Sequence, residues 1–223
     1  MRLKECTMFV GRRMTRNLIT VTKDTSILKV KNLLKQYNID QVPVVEGKKL
    51  VGIITDKDIR ENSASPASTL SVHELNYLLS EMKAEEIMTK KLFTASPGTS
   101  IEDAVKVINE KRVNSLPVVV NDELVGIITT CDMLNVLLEF MGVDTPSSRV
   151  ELTMSGDMGE IAKISTIINN MGLKIISIIS AVSRSREDVR TTVIRVNTDD
   201  STELCEAFTD AGYKVTNEYR VED

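Results

Sequence analysis

With 223 residues, the chain is longer than one average domain and has room for two or three compact units, each with a core of its own. Its 28 Lys and Arg against 32 Asp and Glu give a net charge of −4, and no basic run exceeds Gly11-Arg12-Arg13, which argues against nucleic acid as a partner because phosphate neutralisation needs a concentrated basic face. Trp is absent, aromatics are 4%, and the three cysteines, Cys6, Cys131 and Cys205, are too scattered for a disulfide framework or a CxxC metal site.

The first residues, "MRLKECTMFVGRRM", hold no apolar run long enough for a signal peptide, and no 18-residue apolar segment follows. A reducing, cytoplasmic setting without membrane insertion is the expectation.

From residue 14 onward the sequence is written twice. Displacing the chain by 74 positions aligns residues 14–60 with 88–134 without a gap, and 17 of the 47 pairs are identical. Such a repeat sets the fold before any single element does. In the first copy "NLITVTKDTS" is an extended lead-in and turn, and Ile27, Val30, Leu34 and Tyr37 recur at helical spacing. "VPVVEGKKLVGIIT" then gives two β-branched strands around a polar turn, with a helix starting near Asp58.

The joining segment is rich in Ser, Pro and Ala, then turns helical over residues 71–82, with Leu75, Leu78, Leu79 and Met82 expected on one face. His73, the only histidine, falls on the polar side, so neither a His-based metal site nor a Ser-His-Asp triad is supported. In the second copy Thr99 and Glu102 form a capping-box pattern ahead of a stripe of Ile101, Ala104, Val105 and Ile108. "LPVVVNDELVGIIT" repeats the strand pair, and a helix starts near Asp132.

Residues 140–149 read as a linker, and the pattern then changes. "RVELTMS" is a strand, followed by a helix with Ile161, Ile164, Ile168 and Met171 on one face, ending at Gly172. "LKIISIISAVSR" and "VRTTVIRVN" form a hairpin around "SRED", "TELCEAFTDAG" is a helix, and "YKVTNEYRV" a last strand. The order is βαββαβ.

The recurrent Met-Thr, Pro-Val-Val and Gly-Ile-Ile-Thr-x-x-Asp phrases resemble a tandem pair of CBS domains, the Bateman module. The final βαββαβ part, with Asp157, Met158 and Gly159 in its first loop, resembles an ACT domain. The combination is similar to the acetoin-utilisation B protein family. The expected fold class is α/β (α+β), a tandem CBS-domain pair followed by a ferredoxin-like βαββαβ ACT domain. The expected boundaries are 8–61 and 84–141 for the CBS domains, 62–83 for a helical linker, 142–147 for a second linker and 148–223 for the ACT domain.

The resemblance implies two clefts for adenosine nucleotides, AMP, ADP, ATP or S-adenosylmethionine, with an accompanying Mg²⁺ left open and no resident cofactor or metal. It implies that the adenine lies against Met14, Ile19 and Ile39 in the first copy and Met88, Phe93 and Val113 in the second, residues that equally suit core packing. Asp40 and Asn114 would meet the base edge or ribose. Thr55 with Asp58, and Thr129 with Asp132, place a hydroxyl and a carboxylate at a helix start; a ribose diol can donate to the carboxylate, and the same pair can simply cap the helix. Lys57 and Arg60, against Thr130 and Cys131, favour a phosphate at the first motif, leaving an uncharged adenosine or nothing for the other, unless they are ordinary solvated charges. Asp157, Met158 and Gly159 would hold an amino acid or other small effector, with a tight turn as the simpler role for Gly159.

The expected function is ligand sensing: a regulatory homodimer linked to acetoin or related carbon metabolism and acting on an unidentified target enzyme. The alternative is a non-sensing dimerisation scaffold for such an enzyme. Catalysis has little support, since Asp58, Asp132 and Cys131 have no orienting His or Lys at recognisable spacing.

Overall fold

The computed structural model describes residues 8–63, 71–183 and 188–216, and the chain forms two compact units, Met1–Met133 and Leu134–Asp223. In order, the first copy and its surroundings contain α1 (Val10–Arg13), α2 (Ile27–Tyr37), β1 (Gln41–Glu46), β2 (Lys49–Thr55), α3 (Asp56–Asn62), α4 (Val72–Glu81) and α5 (Ala84–Ile87). The second copy contains α6 (Ile101–Lys111), β3 (Ser115–Val120), β4 (Glu123–Thr129) and α7 (Thr130–Phe140).

Ser26 and Ser100 start α2 and α6 by accepting the backbone N–H groups of Lys29 and Asp103. The cap of α6 is therefore Ser100 with Asp103, one residue beyond the expected Thr99 and Glu102; Thr99 is taken up in a turn, where its Oγ1 accepts from Ser96 N. Both helices end at a left-handed residue, Asn38 and Arg112, which reverses the chain into the strands. Their inward stripes are narrower than expected. Ile27, Val30 and Leu34 are buried, as are Ile101, Ala104 and Ile108, whereas Tyr37 in the last turn and Val105 on the flank are more than two-fifths exposed. On α4 Leu79 is fully buried, with Leu75 and Met82 packed beside it; Leu78 points outward.

The strands form one antiparallel sheet in the order β1-β2-β4-β3. Pro43 and Pro117 lie in β1 and β3, the edge strands, where a missing N–H is tolerated. Lys49 pairs with Glu123, and Ser115 Oγ donates to Gln41 Oε1 at 2.6 Å. Each of these contacts joins a residue to its own counterpart 74 positions away. Such a residue must lie on the axis that relates the copies, so the two contacts mark a pseudo-twofold axis.

The lead-ins cross over. Thr15 pairs with Ile127 of β4, and Thr89 with Ile53 of β2. The helix α1 docks on the second copy, through Val10 N to Thr99 O and Gly11 N to Pro97 O, while α5 docks on the first, through Ala84 N to Thr25 O. A side chain at Gly52 would come within 2.5 Å of Met88 Sδ, and one at Gly126 would collide with Met14 Sδ, so both glycines are required by close approach.

The second unit contains β5 (Ser148–Ser155), α8 (Glu160–Asn170), β6 (Ile175–Val182), β7 (Val189–Val196), α9 (Thr202–Asp210) and β8 (Lys214–Val215). Its antiparallel sheet runs β6-β7-β5-β8, the split arrangement of a ferredoxin-like fold. Alternate residues of β5 and β7, among them Val150, Leu152, Met154, Ile194 and Val196, meet Ile164 and Ile168 of α8 and Leu204 and Phe208 of α9. Ile161 is half exposed instead of inward; Glu160 takes the buried first-turn position. Within the expected elements, Ser185, Arg186 and Glu187 of the hairpin turn, the last strand beyond residue 216, most of the Ser/Pro/Ala stretch and Cys6 lie outside the described residues.

Candidate functional site

Each copy delivers its Thr and Asp to a corner between a strand and a helix. In the first, Thr55 N and Thr55 Oγ1 donate to Asp58 Oδ2 at 2.8 and 2.7 Å, and Asp58 N donates to Thr55 Oγ1 at 3.1 Å. In the second, the same three bonds join Thr129 and Asp132 at 2.8, 2.8 and 3.2 Å. These are capping boxes. Every carboxylate bond in them runs to Oδ2, so Oδ1 of each aspartate takes no part in the cap and keeps its lone pairs for another donor.

Backbone bonds bring further predicted residues to each corner. Asp56 N donates to Asp40 O at 3.0 Å, and Thr130 N and Oγ1 donate to Asn114 O at 3.0 and 3.1 Å. Ile39 with Asp40, and Val113 with Asn114, are thereby held beside the Thr/Asp pairs. Gln41 pairs with Thr55 and Ser115 with Thr129, so the two corners flank the Gln41–Ser115 contact on the axis.

Met14 and Met88 change sides. Met14 lies over Gly126 in β4, and Met88 over Gly52 in β2, so each serves the strand that leads to the other copy's corner. Ile19 and Phe93 are half-buried and stay with their own copies, whose lead-ins run beside β1 and β3 at Val21–Val44 and Ala95–Val118. Lys111 Nζ sits 5.6 Å from the centre of the Phe93 ring, a cation–π contact absent from the sequence reading.

The cations of the first motif are matched along their own helix. Lys57 Nζ lies 3.5 Å from Glu61 Oε1, and Arg60 Nε 2.9 Å from Asp56 Oδ2. A helical repeat of four residues puts each next to a carboxylate one turn away. Both pairs are solvent-exposed, and Asp40, Asp56 and Asp58 accompany the two cations in this motif.

In the second unit Asp157 Oδ2 accepts from Ser155 Oγ at 2.7 Å, Met158 is fully exposed, and Gly159 has φ +94°, a conformation that suits glycine at the start of α8. Behind this loop lies a network that the sequence did not disclose. Glu160 Oε1 accepts from Lys163 Nζ at 2.6 Å, and Glu160 Oε2 from Tyr213 OH at 2.9 Å. The Lys163 bond, then that of Tyr213, hold the Glu160 carboxyl below its usual range; the Glu160 bond raises the Lys163 ammonium; burial, then Glu160, push the Tyr213 phenol up to about 12.

Among the described residues no helix is long and apolar enough to cross a membrane, and no group of three His, Cys, Asp or Glu is placed to hold a metal ion.

Known proteins share the architecture of the repeated part. The CBS domain family model matches residues 10–65 and 84–139, just over half of the chain. An inosine-5′-monophosphate dehydrogenase of Bacillus subtilis is 34% identical over a 135-residue alignment that covers 56% of this chain but only 25% of the enzyme. The structure of a protein from Vibrio cholerae provisionally named for acetoin utilization has 25% identity and a TM-score of 0.52, covering 64% of this chain and 98% of that one. The structure of CBSX2 in complex with AMP has 26% identity and a TM-score of 0.50, covering 60% of this chain and 98% of that one.

Proposed function

The chain belongs to the CBS-domain family, and from that premise we propose that it is a ligand-sensing regulatory protein whose two corners bind the ribose of adenosine nucleotides. The observation that carries this reading is the repeated Thr/Asp box, in which capping occupies one carboxylate oxygen and leaves the other for a ribose diol. The AMP in the CBSX2 complex supports the ligand class. Met88 and Met14, with Ile39 and Val113, supply apolar surface for the adenine. Met14 and Met88 are buried and Ile39 and Val113 half-buried, so all four serve the core as well.

Binding at the corners favours the folded first unit, because the ligand touches β2, α3 and the Asp40 turn together and has no such site in the unfolded chain. The second unit, with its ferredoxin-like order, is read as an ACT domain that takes an amino acid at the Asp157-Met158-Gly159 loop. The Vibrio cholerae relative supports a link to acetoin metabolism. The protein acts on a target enzyme in the cytoplasm and catalyses nothing itself; the dehydrogenase relative is matched over only a quarter of its length.

Isothermal titration of AMP, ATP and S-adenosylmethionine into the full chain, with Asp58→Asn and Asp132→Asn beside it, tests the reading. Micromolar binding that one variant loses and the other keeps is the expected result. An intact, folded protein that binds none of the three would overturn it. In that event the scaffold reading gains, and one observation favours it: Leu134, Leu137, Leu138 and Phe140 of α7 are all exposed and available to a second copy.

A further inference from the structure

The two corners are built alike but charged differently, and we infer that they select adenosine ligands of different tail charge. The second corner takes a phosphate tail; the first takes a tail that is uncharged or cationic. This rests on the nucleotide-sensing reading above and adds which ligand goes where.

The repeat makes the comparison exact in position, since each residue has a counterpart 74 places on. Asp40 and Asp56 flank Asp58, whereas Asn114 and Thr130 flank Asp132. The same backbone bond ties each flanking pair to its corner, at 3.0 Å in both copies. In α3, Lys57 faces Glu61 and Arg60 faces Asp56, exposed pairs in which a carboxylate one turn away offsets each cation's charge. Their counterparts in α7 are Cys131 and Leu134, with Asn135 in place of Glu61.

The turn before the first strand of each copy reverses the trend. Tyr37 and Asn38 precede Asp40, but Lys111 and Arg112 precede Asn114. Lys111 is held over the Phe93 ring, which keeps its charge beside the second copy's lead-in. Over residues 37–40 and 56–61 the first copy sets Asp40, Asp56, Asp58 and Glu61 against Lys57 and Arg60, a net −2; the counterparts set Lys111 and Arg112 against Asp132, a net +1.

A nucleoside monophosphate carries roughly −1.5 to −2 at neutral pH. Apart from the half-buried Asp58 and Asp132 these groups are solvent-exposed, and salt screens their fields beyond about 10 Å, so the discrimination expected from the charge difference is about tenfold and weakens as salt is added.

The test uses the full chain with AMP and S-adenosylmethionine as probes. Asp58→Asn and Asp132→Asn disable the corners one at a time, and a melting curve on each variant confirms that it is folded. AMP binding should fall at least tenfold in Asp132→Asn and change little in Asp58→Asn, with the reverse for S-adenosylmethionine. Exchanging counterparts adds a second readout: Asp56→Thr in the Asp132→Asn background should strengthen AMP binding about threefold, and Thr130→Asp in the Asp58→Asn background should weaken it about threefold, both effects shrinking in high salt. AMP lost with Asp58→Asn and kept with Asp132→Asn, or exchanges without effect in folded protein, overturn the assignment while leaving nucleotide sensing intact. Absence of binding by either probe to the unmodified chain overturns both.

Discussion

Ser115 Oγ donates to Gln41 Oε1 at 2.6 Å, and the two residues are each other's counterparts in the repeat. Identical copies would place the same side chain on both sides of the axis; here a short hydroxyl meets a long amide. Ser115 is buried, so removing its hydroxyl leaves the amide oxygen without that donor. Ser115→Ala should destabilise the first unit by roughly 1 kcal/mol, and the double variant with Gln41→Ala should lose less than the two single losses combined. Differential scanning calorimetry of the four proteins measures this.

The crossing of the lead-ins can be read genetically. Gly52→Ala should destabilise by about 1–3 kcal/mol through overpacking against Met88. Met88→Ala in the same chain should relieve part of that loss, whereas Met14→Ala should not. Relief by Met14→Ala alone would mean that the methionines pack within their own copies.

Helix α4 separates two adjacent leucines by environment. Leu79 is 1% exposed and Leu78 46% exposed. Leu79→Ala should lose about 2–5 kcal/mol through transfer and cavity effects, and Leu78→Ala should stay within about 0.5 kcal/mol. Urea unfolding of each variant checks the difference.

The Glu160 network gives the second unit a pH window with distinct edges. Glu160 is held low in the folded state, so its contribution is present above its ordinary value of 4.5 and is lost as pH falls through the folded value. Lys163 is raised above 10.5 and Tyr213 from 10.0 to about 12, so their contributions are present below those ordinary values and fade as pH climbs past them. Stability should therefore decline below about pH 4.5 and again above about pH 10. Glu160→Gln should flatten the acid limb and Tyr213→Phe the alkaline limb between pH 10 and 12. A limb unchanged by its variant would assign that edge to other groups.

The fold was legible wherever periodicity or repetition carried it. The strand pairs around Pro43 and Pro117, the helices from Ile27 and Ile101, and the βαββαβ order all follow from patterns of two or 3.6 residues. What escaped depends on contacts between distant segments. No local pattern announces that Met14 belongs over Gly126, or that Glu160 takes a buried position because Tyr213, 53 residues later, satisfies it. Tyr37, Val105, Leu78 and Ile161 fit helical stripes by spacing alone, but burial also needs a neighbour facing them. At the corners the Thr/Asp pairing was readable, while the ion pairs of Lys57 and Arg60 required counting the carboxylates one helical turn away.

The exchanged lead-ins make the first unit equivalent to a swapped dimer whose subunits happen to share one chain. Each copy completes itself with a segment encoded in the other half, so neither half can finish its sheet from its own sequence. Two separate single-copy molecules would have to meet before folding, and their assembly would dissolve on dilution. Joining them turns that encounter into loop closure at a fixed effective concentration, about millimolar for a short flexible connection. The paired unit therefore persists at any cellular abundance, and only further association, beyond this built-in pair, is left to respond to how much protein is made.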